Sequence, residues 1–177
     1  YTQFYKNSKK LFINLEKFCN TSKIQLFILP STLKNTIEFE KEKIYYNSIS
    51  KSQNIKFIDK RDGQDSYKIF DRFDIFFGED STLLYEAISR NKKIGAFKRF
   101  KHIENYNFLW PMFNKKKGFF YSDEPSYSEI KRIHNNIIKI SISDWIKYIK
   151  DLKMNFMCFD LKNQKLRKLI KKELNTN

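Results

Sequence analysis

The stretch FFGEDSTLLYEAISRNKKIGAF, residues 76–97, decides how the chain is read. It enters on the apolar run DIFFG and turns at Gly78, a residue that permits a tight exit from a strand. Two acids, a serine and a threonine follow, then a short helical rhythm, then a second apolar run, KKIGAF. Strand, turn, helix and strand in this order make a βαβ unit, the building block of a parallel sheet.

The same alternation extends upstream. FYKNSKKLFINLEKFCN carries Phe4, Leu11, Leu15 and Phe18 near helical spacing, which predicts a helix over about residues 4–19. KIQLFILP is a short apolar strand ending at Pro30, and NTIEFEKEKIYYNSIS has a helical rhythm through Ile37, Ile44 and Ile49. NIKFID is the next strand. DSYKIFDRF, residues 65–73, reads as a short helix with Tyr67, Ile69, Phe70 and Phe73 on its apolar side. Short apolar strands alternating with helices indicate an α/β fold, a Rossmann-like parallel sheet with helices on both faces.

Past Phe97 the pattern loosens. KRFKHIENYNFLWPMFNKKKG reads as an extended loop with aromatic anchors, and GFFYSD as a short final strand. PSYSEIKRIHNNIIKI is a helix with Pro125 suited to its first turn, and SDWIKYIKDL a helix that Ser143 or Asp144 can cap. DLKNQKLRKLIKKEL is a basic terminal helix with Leu166, Leu169, Ile170 and Leu174 on one side. The expected division is one Rossmann-like domain over 1–160 and a basic helix over 161–177.

The 177 residues are 41% hydrophobic and 17% aromatic, enough for one domain with a real core and too apolar for a disordered chain. No run approaches a membrane span. Cys19 and Cys158 form neither a metal cluster nor a disulfide scaffold, and a cytoplasmic location is the default. The formal charge of +15 favours nucleic acid, anionic lipid or a phosphorylated ligand. The lysines are spread along the chain rather than gathered in a stripe, so nucleic acid is not expected as a partner.

In a parallel sheet, ligands gather at the carboxyl ends of the strands. Ser81 and Thr82 lie there, at the start of a helix whose backbone amides can bind phosphate, and Glu86 is placed to face the same crevice. A plainer reading stands beside this one. Asp80 or Ser81 is only an N-cap, and Glu86 is a helix former paired with Arg90. Neither the dinucleotide fingerprint G-x-G-x-x-G nor a P-loop occurs.

FFGEDSTLLYEAISRNKKIGAF resembles the hydrophobic–G–x–D–S–T–L–x–x–E–A–x–x–R–x–K–K segment of type B glycosyltransferase-like proteins of bacterial surface carbohydrate (capsule and lipopolysaccharide) biosynthesis. NFLWPMFNKKKGFFYSDEPSYSEIKRI is similar to that family's tryptophan-proline loop, glycine-aromatic block and acidic-starting helix. Together the blocks cover roughly residues 70–134. The resemblance implies one half of a GT-B enzyme, the C-terminal domain that binds a nucleotide-sugar donor. It puts Gly78, Asp80, Ser81 and Thr82 around the donor phosphates and Glu86 at the ribose or sugar. His102 and Trp110 become possible pocket lining. Arg90 and Lys93 are read as surface charges.

This sequence departs from the family in two places. LFILPST stands where a basic or histidine-proline element is usual, leaving Ser31 and Thr32 as ligand donors or as parts of a turn. GFFYSD replaces a glycine-proline-phenylalanine-tryptophan run. A complete enzyme of this fold has two such domains and the chain supplies about one, so a missing N-terminal half or a partner subunit is expected. A stand-alone remnant is the other possibility.

The remaining candidates have plain alternatives. His134 lies on a helix face that can half-bury it, and His102 in a basic loop. Asp59, Asp62, Asp65, Asp71 and Asp74 sit in turn and cap settings. The catalytic base is left unassigned. No metal-site pattern occurs, and no tightly bound cofactor is expected, although a loose divalent ion is compatible with the chemistry.

The expected function is transfer of a sugar from a nucleotide-sugar to a surface polysaccharide or lipid-linked glycan, or the donor-binding half of that reaction. The alternative is a non-catalytic binding module of a carbohydrate-biosynthesis complex. The terminal basic helix is expected to pack on the domain or on the missing half, with contact to the inner face of the membrane as the second choice.

Overall fold

A computed structural model describes residues 6–52, 54–60, 68–79, 81–99, 116–151 and 163–174. Five strands and six helices lie among them. Helix α1 (Lys6–Thr21) precedes strand β1 (Leu26–Ile28), and α2 (Ile37–Ile49) leads to β2 (Ile55–Phe57). Strand β3 (Ile75–Gly78), α3 (Thr82–Ser89) and β4 (Lys93–Phe97) form the βαβ unit read from the sequence. Strand β5 (Tyr121–Ser122), α4 (Tyr127–Lys139), α5 (Ile142–Tyr148) and α6 (Gln164–Leu174) follow.

Every strand pairing is parallel, but the expected single sheet is divided in two. β1 pairs with β2, and β3, β4 and β5 form a second sheet in that order. β1 and β3 face each other at the joint without a backbone ladder. Ring packing takes its place, with Phe27 and Phe73 centroids 5.0 Å apart. Residues of β1 and β3, from the two different sheets, line one cavity at this joint.

Successive residues of a strand point to opposite faces. Ile94, Gly95, Ala96 and Phe97 of β4 are all buried, so both faces of that strand are covered. Phe77 of β3 lies directly opposite Gly95, whose missing side chain makes room for the ring: a Cβ there would come within 2.4 Å of it. Helices α3 and α4 pack against β4, and α1 packs on α4 through Phe18, whose ring meets Tyr127 and His134.

The structure corrects several local expectations. Of the helix expected over 65–73, the described Lys68 and Ile69 are helical and residues 70–72 form a turn after them, with the Asp71 and Arg72 amides bonding back to the Lys68 and Ile69 carbonyls; residues 65–67 lie outside the described residues. The buried side was nonetheless read correctly, for Ile69 and Phe70 enter the core. Pro125 precedes its helix: Ser126 is the N-cap and accepts from the Glu129 amide. The cap of α5 is Ser141, two residues before Ser143. Its hydroxyl accepts from the Asp144 amide at 3.0 Å and donates to the Asp144 carboxylate at 2.7 Å.

Two polar anchors hold the C-terminal half. Trp145 is fully buried and donates from Nε1 to the Lys92 carbonyl at 3.1 Å. Arg132 donates to the Gly118 and Tyr121 carbonyls at 2.8 and 3.1 Å, and its guanidinium also meets Glu129. The glycine-aromatic block is thus clamped from α4. That hydrogen bond from Arg132 is the chief reason the Glu129 carboxyl titrates below its ordinary range.

Candidate functional site

A cavity of about 400 Å³ opens at the joint between β1 and β3, a size within the range of small-molecule sites. Its walls are largely apolar, with Leu11 and Phe12 of α1, Ile28 of β1 and Phe76 of β3 among them. A polar group gathers where β3 and β4 end: Ser8 from α1, Glu79, Ser81 and Arg99. An apolar cleft with a few convergent polar groups at the carboxyl ends of parallel strands is where an α/β fold binds its ligand.

Glu79 is the centre of that group. It is 7% exposed, immediately after β3. Its Oε2 accepts from the Ser8 hydroxyl at 2.5 Å and from Arg99 Nε at 3.1 Å. Its Oε1 is buried and has no hydrogen-bond partner among the described residues. A buried carboxylate oxygen without a donor costs free energy. A ligand hydroxyl or amine entering the cavity would satisfy it. Tyr46 of α2 also lines the cavity, and burial, followed by the nearby Glu42 carboxylate, pushes its phenol up to about 12. It is therefore a neutral hydroxyl at neutral pH.

Ser81 caps α3, its hydroxyl accepting from the Leu83 amide at 3.3 Å. The cap reading thus holds for Ser81, and it restricts the phosphate site expected here. The Ser81 amide bonds Glu79 O, and the Leu84 amide bonds Ser81 O. Together with the Leu83 amide, three donors at this helix end are engaged within the chain. Gly78 and Ser81 both line the cavity. Thr82 is exposed and Glu86 half-buried one turn further along, and neither borders the cavity. Asp80, His102 and Trp110 lie outside the described residues.

The charges near this unit have structural work. Lys93 donates from Nζ to the Ile140 carbonyl at 2.7 Å, and the Arg90 guanidinium lies 5.2 Å from the Phe70 ring centroid. Asp59 pairs with Lys34 at 2.6 Å, Asp71 is exposed, and Asp74 meets Lys92 at 3.5 Å on the surface. Asp62 and Asp65 lie outside the described residues. His134 packs on Phe18, and burial lowers its pKa. Burial raises the Cys19 thiol to about 11, which keeps it an inert core group.

Along the β1–β2 part of the same edge, Glu42 of α2 accepts from the Ser31 amide and hydroxyl and from the Thr32 hydroxyl, each at 3.1 Å. Ser31 and Thr32 therefore serve the turn after Pro30. Lys60, just past β2, is only 6% exposed; burial pushes its ammonium pKa down while Glu42 pulls it back up. Sequence reasoning passed over Glu79, Arg99, Ser8 and Lys60. The position of Glu79, directly after a strand and beside the capped turn, was the available signal for the first of them.

Among the described residues, no group of three or more His, Cys, Asp and Glu side chains can hold a metal ion. No described helix is long and apolar enough to cross a membrane. No curated protein and no solved structure matches the chain. A protein-family model does match, over residues 1–174, and its description is "putative O-antigen biosynthesis protein".

Proposed function

We propose, from the premise that the chain belongs to this O-antigen biosynthesis family, that the cavity at the strand ends binds a nucleotide-sugar donor. The chain then acts as a glycosyltransferase, or as its donor-binding half, in building a surface polysaccharide. The observation that carries this reading is Glu79: a buried carboxylate with one oxygen lacking a donor among the described residues, just past β3, in a cavity of small-molecule size. A ribose or hexose offers the hydroxyl donors that oxygen lacks.

Arg99 supplies the matching cation. Its side chain is 42% exposed and lines the same cavity, a suitable position for meeting a diphosphate. The apolar walls suit the flat faces of a base or sugar. Thr82, at the exposed start of α3, and Glu86, half-buried one turn further along, are assigned to the outer part of the donor if it extends beyond the cavity.

Calorimetry of the chain against CMP, UDP, GDP, ADP and their sugar conjugates tests the proposal, with and without a divalent ion. One nucleotide class should bind saturably and selectively. A hydrogen bond to a charged group is worth roughly 1.5–3 kcal/mol, so Glu79→Ala should weaken binding about 10- to 100-fold. Unchanged affinity in Glu79→Ala, or no binding by any donor, would refute the assignment.

A further inference from the structure

We propose that α6 is an interfacial helix that lays the protein on an anionic membrane surface. Its apolar side chains are exposed: Leu166, Leu169, Ile170 and Leu174 are 57, 61, 48 and 70% exposed. At 3.6 residues per turn these four share one face, an arc of about 140° that by register also takes in Glu173 in the last turn. Lys165 and Arg167 fall at the two edges of that arc, and Lys168, Lys171 and Lys172 on the opposite face. Glu173 is the one acid in the stretch.

This arrangement selects its occupant by charge. An apolar protein groove would satisfy the four aliphatic side chains but would need an acidic rim for five cations within eleven residues. A second copy of this chain is a poor candidate, because each carries 35 basic against 20 acidic residues. An anionic bilayer offers an apolar layer to the stripe, headgroups to the edge cations, and a negative surface potential that attracts the cations of the polar face. Edge cations such as Lys165 and Arg167 can lay their methylene stems along the apolar face and keep their charges at headgroup level. Eleven helical residues extend only about 16 Å, roughly half a hydrocarbon core, so the helix lies on the membrane and does not span it.

A second surface has the same character. Ile138, Ile142 and Ile146 of α4 and α5 are 54, 55 and 38% exposed, beside the exposed Lys139, Lys147 and Lys150. No cavity-lining residue lies on α6, so this inference stands or falls independently of the donor site.

Flotation of the full chain with vesicles tests it, comparing pure phosphatidylcholine with vesicles containing about one-third phosphatidylglycerol. Binding should appear with the anionic lipid, fall in high salt, and drop about 30-fold in Lys168→Gln/Lys171→Gln. Leu166→Ser/Leu169→Ser/Ile170→Ser should lose it while keeping the parent's circular dichroism and melting temperature, because α6 is exposed. Equal binding to neutral and anionic vesicles, or undiminished binding by the serine variant, would overturn the proposal. So would a concentration-dependent dimer, without lipid binding, that the serine variant abolishes; that result would assign the face to a second copy.

Discussion

Glu16→Ala should be among the most destabilising single changes outside the apolar core. Glu16 sits on α1, 2% exposed, and its carboxylate collects four donors from the link between α2 and β2. These are the Ser50 and Ser52 hydroxyls and the Lys51 and Ser52 amides, the amides at 3.0 and 3.1 Å. Truncation lets the hydroxyls turn toward other partners, but the two amides cannot turn. An unsatisfied buried donor costs about 1–3 kcal/mol. Lys51 is exposed, so water recovers part of the loss, and the net destabilisation comes to about 2–3 kcal/mol. For a chain of this size that lowers Tm by roughly 4–12 °C.

Urea unfolding of parent and variant reads the difference directly. Its pH dependence gives a second check. Burial pushes the Glu16 pKa up, but the hydrogen bonds from Ser50, Lys51 and Ser52 together outweigh it, and the pKa lies below the ordinary 4.5. The stabilisation is therefore fully present above pH 4.5 and is lost as pH falls through the folded value. The gap between parent and variant should narrow over that acid window and stay constant near neutrality. A loss below about 1 kcal/mol at pH 7, or a gap that widens on acidification, would refute the account of Glu16 as the pin of this link.

Further outcomes follow from other contacts. Trp145→Ala should cost about 3–5 kcal/mol in denaturant unfolding, since it empties a fully buried indole site and leaves the Lys92 carbonyl without its donor. Arg132→Lys keeps the charge but loses the fork that spans two carbonyls. Amide exchange around Gly118–Ser122 should accelerate, and protection equal to the parent's would count against the clamp. Ser81→Ala and Ser126→Ala each remove an N-cap and should each cost about 1 kcal/mol. Only Ser81→Ala should also weaken nucleotide binding, and equal affinities in the two variants would detach Ser81 from the site.

The sequence made the alternation of short apolar strands and helices legible because burial on two faces leaves continuous apolar runs. LFI, IKF, IFFG and KIGAF all became strands. It did not disclose the division of the sheet. The rings of Phe27 and Phe73 meet across the joint, a contact between residues 46 apart that local pattern does not encode. At the site, the turn itself was readable, with Gly78 and the cap at Ser81 where the pattern put them. The role of Glu79 was not, because its burial comes from Ser8 and Arg99, brought in from opposite directions along the chain. The family resemblance singles out Asp80, which lies outside the described residues, and Glu86 is half-buried beside the cavity-lining turn rather than in it.

The partners of α1 have a consequence for synthesis. Asn14 waits for the carbonyl of Pro125, 111 residues later, and Asn7 for that of Lys98, 91 residues later. At translation rates of about 5–20 residues per second, the helix emerges roughly 5–20 s before its distant partners. Throughout that interval Phe18, buried in the finished fold, lacks the Tyr127 and His134 rings it packs on. Ser8 likewise has no Glu79 to hold until more than half of what must complete the cavity has been made. The side of α1 that meets the C-terminal half is thus secured long after the side that Glu16 pins to residues 50–52.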